Sequence, residues 1–121
     1  MIRASLLGLW GIMVATGVVA ESYPNASAIV SVGGPVTEII YALGEQDRLV
    51  GRDTTSVYPP EANDLPNVGY MRALSAEGVL SLSPDLILAR STSGPPVTLD
   101  QLAASSVPIV LVEEQLSLIP I

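Results

Sequence analysis

Four short segments of this chain are apolar on nearly every successive residue, and helix-like segments lie between them. They are Ala28–Val32, Leu49–Gly51, Asp85–Ala89 and Pro108–Val112. A strand with one wet face alternates apolar and polar residues, whereas a strand covered on both faces is apolar throughout. Alternation of such strands with helices is the pattern of an α/β unit: a parallel sheet flanked by helices.

The intervening segments carry helix signals. Val36, Ile39, Ile40 and Leu43 recur at i, i+3, i+4 and i+7 and predict one buried helix face. Pro35 suits the first helical position and Gly44 the stop. Ser75 reads as the N-cap of a short helix over 76–82, ended by Pro84. Thr98-Leu99-Asp100-Gln101 has the form of a capping box and predicts a helix to about Ala104. The stretches 53–66 and 91–96 read as loops, with Tyr58-Pro59-Pro60 and Asn63-Asp64 as turn formers.

The first twenty residues read as a separate unit. Arg3 precedes a nearly unbroken apolar run from Leu6 to Val19, and small residues lead to Ala20 before Glu21. That is the layout of a signal peptide cut at Ala20/Glu21. A bilayer span needs roughly 20 apolar residues, more than this run supplies.

What remains is acidic. The 121-residue chain has a net charge of −7, with no lysine. Binding nucleic acid requires a basic face, which is missing. With 0 Cys there is no disulfide framework, and with 0 His as well there is no zinc site of the usual kind. The same absences remove Ser-His and Cys-His nucleophilic arrangements, and no pair of acids is marked out for acid–base work. Gly33-Gly34-Pro35 lies where a phosphate-binding turn would, but it lacks the further glycines or the Gly-Lys-Ser/Thr of a nucleotide fingerprint. It reads as a tight turn into a helix.

One candidate ligand stands out in "NVGYMRALSAEG", Asn67 to Gly78. Phenolate is a hard anionic donor suited to ferric iron, and Tyr is among the axial ligands of haem. A nearby cation favours phenolate. In an extended loop Tyr70 and Arg72 point the same way, so Arg72 can supply that charge, while Met71 points into packing. Gly69 leaves room for a flat ligand beside the backbone. On spacing alone the plainer reading is stronger: a half-buried loop tyrosine beside a surface arginine. Among the other tyrosines, Tyr23 and Tyr41 fall in the leading segment and the first helix, and Tyr58 is the rival.

The stretch "IVSVGGPVTEIIYALGEQDRLVGRDTTSVYPPEANDLPNVGYMRALSAEGVLSLSPDLILA" resembles the haem-binding periplasmic components of bacterial ABC importers, within the wider group of iron, siderophore and corrinoid binders. The likeness runs from about Ala28 to Val112, and "LPNVGYMRALSAEGVLSLSPDLILA" is its most specific part. The resemblance implies one lobe of a two-lobed protein whose lobes are joined by a long helix. It implies haem as the transported ligand, Tyr70 as axial ligand to its iron, Arg72 as support for the phenolate or a propionate, and Glu77 as a contact to the permease. It further implies a periplasmic carrier rather than an enzyme. The alternatives that stay open are a ferric-siderophore or corrinoid binder of the same fold and a non-functional truncated product. Residues 21–121 are expected to form the N-terminal lobe, with the second lobe absent and the sequence leaving the family pattern from Gln115.

Overall fold

The computed structural model describes residues 22–113. The expected signal segment and the tail from Glu114 lie outside the described residues.

The apolar segments form four strands: β1 (Ile29–Val32), β2 (Leu49–Arg52), β3 (Leu86–Arg90) and β4 (Ile109–Val112). They make one sheet in the order β2-β1-β3-β4. Every pairing is parallel. The helices are α1 (Gly34–Ala42), α2 (Ala76–Leu80) and α3 (Pro96–Ala103), with single turns of 3₁₀ helix at Gln46–Arg48 and Pro60–Asp64.

Successive strand residues point to opposite faces; β1, β2 and most of β3 are covered on both, whereas β4 is only partly covered and its Leu111 is 46% exposed. Val30, Val32, Ile87 and Ala89 pack with Met71, Leu74, Val79 of α2 and Leu102 of α3. Ile29, Leu49 and Leu86 pack on the other face with Val36 and Ile40 of α1. Full burial of such a side chain stabilises by roughly 1.5–3 kcal/mol, so these two clusters hold the layers together. The near-continuous apolar sequences of β1 and β3 are explained by this two-sided burial.

Two local expectations fail. In α1, Ile39 and Leu43 are 54% and 70% exposed, and the inward position is taken by Thr37. The Thr37 hydroxyl is 2.6 Å from that of Ser31 in β1 and 2.7 Å from that of Ser56, a buried polar chain that fixes the helix rotation. In α3 the helix starts three residues earlier than the capping-box pattern indicates, because Pro96 occupies its first turn. Thr98 is then inside the helix, and its hydroxyl donates to the Leu74 carbonyl at 2.9 Å. Ser75 does cap α2, its Oγ accepting from the Gly78 amide at 3.3 Å.

Candidate functional site

The chain leaves β1 for α1 and β2 on one side, then crosses to β3 on the other. Ligands of open parallel sheets bind outside the carboxyl ends of the strands at such a reversal. Three loops meet at this edge: 53–59 after β2, 66–75 before α2, and 91–95 after β3.

The N-terminus of α1 at this edge is already closed. Asp53 is fully buried, and its carboxylate accepts four hydrogen bonds. Oδ1 takes the Gly33 amide at 2.9 Å and the Ser56 hydroxyl at 2.6 Å. Oδ2 takes the Thr55 amide at 3.0 Å and the Thr55 hydroxyl at 2.6 Å. The Gly34 amide donates to Thr55 Oγ1 at 3.1 Å. A carboxylate of the chain thus stands where a phosphate would sit against the helix dipole, so the glycine turn serves helix entry alone. Gly33 has φ +109°, and a Cβ there would run into the aliphatic part of Arg90.

The loop carrying Tyr70 is tied to the same framework. Residues 66–68 run beside the end of β2: the Arg52 amide donates to the Pro66 carbonyl and the Val68 amide to the Arg52 carbonyl, both at 2.9 Å. The buried Arg52 guanidinium reaches the carbonyls of Asn63, Leu65 and Asp53 at 3.2–3.3 Å. The Thr54 amide donates to the Gly69 carbonyl at 2.9 Å. Asn67 Oδ1 accepts from Thr54 Oγ1 at 3.2 Å and from the Gly69 amide at 2.9 Å.

Tyr70 is 47% exposed on this edge. Gly69 has φ +103°, and a Cβ there would meet nothing within 4 Å, so there is open space directly before the tyrosine. Residues 70–73 are not extended as expected. The Ala73 amide donates to the Tyr70 carbonyl at 2.9 Å and closes a turn. The turn forms because Met71, 4% exposed, is drawn into the core, while the Gly94 amide holds its carbonyl at 2.9 Å. Tyr70 and Arg72 therefore share a turn rather than one side of an extended strand. Arg72 is exposed, and among the described residues its guanidinium forms no hydrogen bond or ion pair, with Tyr70 or otherwise. Glu77 is exposed in the first turn of α2, beyond the same loop.

The other tyrosines differ. Tyr58 is 64% exposed on the 53–59 loop. Tyr41 packs against the α1-side core. Burial first, then the carboxylates of Glu61 and Asp64, raise its phenol above the ordinary value, which disfavours phenolate there. Among the described residues no cluster of three or more acidic side chains could hold a bare metal ion, and no helix is long and apolar enough to cross a membrane. An apolar groove of about 540 Å³ lies elsewhere, on the α1 face, lined by Ile40, Leu43, Leu86, Leu88 and Val110, and includes none of Tyr70, Arg72 or Glu77.

Sequence reading missed Asp53 and Asn67. The local signal was present, since Asp-Thr-Thr-Ser after a strand is a string of residues that bond to nearby backbone.

Comparison with known proteins places this geometry. The family model described as "Periplasmic binding protein" matches residues 29–117. A vitamin B12-binding protein of Pectobacterium carotovorum subsp. carotovorum (strain PC1) is 35% identical over 113 residues, covering 93% of this chain and 40% of that protein. Among solved structures, the periplasmic heme-binding protein RhuT from Roseiflexus sp. RS-1 superposes with a TM-score of 0.70 at 48% identity, covering 73% of this chain and 34% of that one. The periplasmic vitamin B12-binding protein BtuF of Vibrio cholerae gives 0.66 at 37% identity, covering 74% and 34%. The chain thus spans 40% or less of the length of these relatives. The fold matches a single lobe of such proteins.

Proposed function

The chain belongs to the periplasmic binding protein family, and on that premise we propose that it supplies the haem-binding lobe of an exported carrier feeding a membrane permease of the ABC type. The observation that carries this reading is Tyr70: a phenol 47% exposed, on the turn at the carboxyl edge of a parallel sheet, with open space before it. Coordination replaces the phenolic proton with ferric iron, and the anionic oxygen favours Fe(III). Arg72, exposed in the same turn, is available to a haem propionate, and a guanidinium pairs carboxylates well. Glu77 presents a carboxylate on the rim for a cationic patch of the permease. The chain's role is capture and hand-over in the periplasm, without bond making or breaking in the ligand. The likeness to heme-binding structures at 48% identity supports this choice of cargo.

A second reading, corrinoid capture, is favoured by the 35% identity to a vitamin B12-binding relative. Parallel titrations of the purified chain with haemin and with cyanocobalamin separate the two. Haem capture predicts a saturable Soret change at micromolar haemin and no saturable signal with cyanocobalamin. The reverse pattern would replace haem with a corrinoid.

A further inference from the structure

The proposed iron ligand sits on a turn closed by a single backbone bond, from the Ala73 amide to the Tyr70 carbonyl at 2.9 Å. Tyr70 is half exposed, and a Cβ at Gly69 would meet nothing within 4 Å. One support is Met71, sunk in the core. The Gly94 amide adds a bond to the Met71 carbonyl at 2.9 Å, and a further support runs back through polar contacts. Asn67 Oδ1 grips the Gly69 amide at 2.9 Å and the Thr54 hydroxyl at 3.2 Å. The Thr54 amide grips the Gly69 carbonyl at 2.9 Å. Thr54 in turn lies between Asp53 and Thr55, the two residues whose groups make and receive the buried carboxylate bonds. Asp53 Oδ1 fastens that loop to the Gly33 amide at the start of α1.

We propose that Asp53 is a positioning residue for ligand binding: its buried carboxylate locks the 53–56 loop to α1 and, through Thr54 and Asn67, sets the pose of the turn that presents Tyr70. The inference rests on the haem reading for its ligand and on the hydrogen-bond geometry for everything else. A ligating side chain needs its supporting shell fixed to a fraction of an ångström, and changing such a support typically costs about 10–100-fold in affinity. Asp53 is fully buried, so it acts without touching haem.

Asp53→Asn tests this with nearly unchanged shape. The Gly33 amide bonds one carboxylate oxygen and the Thr55 amide the other, so a carboxamide leaves one of these main-chain donors without an acceptor whichever way it turns. Expected are an at least ten-fold rise in hydrogen exchange at the Gly69 and Ala73 amides, unchanged exchange at Ile87 in β3, and haemin dissociation at least ten-fold faster. Asn67→Ala should act in the same direction, and Asn67→Asp, which keeps the acceptor oxygens, should restore both readouts. If Asp53→Asn lacks a cooperative melt, the Asn67 pair decides. Wild-type exchange at Gly69 and Ala73 in Asn67→Ala would overturn the proposal, as would raised exchange with unaltered haemin dissociation. If Tyr70→Phe leaves haemin binding unaltered, the haem reading fails, and the exchange data judge the positioning of the turn by themselves.

Discussion

The hydroxyls of Ser31 and Thr37 lie 2.6 Å apart in a buried pocket between β1 and α1. Thr37 also bonds Ser56, which bonds Asp53, so the chain of hydroxyls joins sheet, helix and loop. Thr37→Val keeps the shape and leaves the buried Ser31 hydroxyl without its partner, while Ser56 keeps its bond to Asp53. A loss of about 1–3 kcal/mol is expected in urea unfolding, since an unpartnered buried polar group costs about that much. Adding Ser31→Ala to Thr37→Val should cost less than the sum of the single changes, because the partner left bare is then gone.

Arg48 ties the segment before β1 to the rest of the lobe. Its Nε donates to the Ala26 carbonyl and Nη2 to the Tyr23 carbonyl, both at 2.6 Å, while Nη1 pairs with Glu45 at 3.3 Å. Arg48→Ala should lower stability by about 1–3 kcal/mol through the two charge-assisted bonds. Calorimetry should register a fall of roughly 4–8 °C per kcal/mol for a lobe this size.

Asp85 gives a pH signature. Its carboxylate accepts from the Ser27 and Ala28 amides at 2.9 and 3.0 Å, and these bonds, Ser27's first, hold it below the ordinary carboxylate value. A depressed folded value means stabilisation that is present above the unfolded value, about 4, and lost as pH falls through the folded one. Asp85→Asn should therefore melt below wild type at pH 7, with the difference shrinking toward zero under acid. A gap that is constant with pH would assign the effect to something other than the charge.

Gly51 lies in β2 where a Cβ would overlap the Leu82 side chain and sit 3.5 Å from the Pro66 carbonyl. Valine has the better strand propensity, yet Gly51→Val should destabilise by about 1–3 kcal/mol through overpacking. Thermal melts of Gly51→Val with and without Leu82→Ala check the cause, because the second change should recover part of the loss.

The sheet and its parallel sense were legible because two-sided burial writes itself into a strand as an unbroken apolar run, as in Leu86-Ile87-Leu88-Ala89. Ser75 was legible because its cap is made three residues away. What escaped depends on partners distant in sequence. The inward turn of Thr37 is decided by Ser31 and Ser56, so the apolar stripe through Ile39 and Leu43 misplaced the helix face. Asp53 looked like a loop residue because Gly33, its partner, lies twenty positions earlier. The turn at Tyr70–Ala73 contains none of the usual turn formers and exists because Met71 is pulled into the core. The candidate ligand was identified by resemblance, and the framework that holds it emerged from the fold.

The most direct test of the central claim is the ferric-haem spectrum of the purified chain beside that of Tyr70→Phe. The phenylalanine keeps the ring and removes only the oxygen, and the side chain is half exposed, so the melt should be unchanged. Phenolate ligation predicts a high-spin ferric spectrum with an oxygen-to-iron charge-transfer band in the wild type, lost in Tyr70→Phe and retained in Tyr58→Phe. A band that persists in Tyr70→Phe, or that disappears in Tyr58→Phe instead, would contradict the assignment of Tyr70 as the iron ligand.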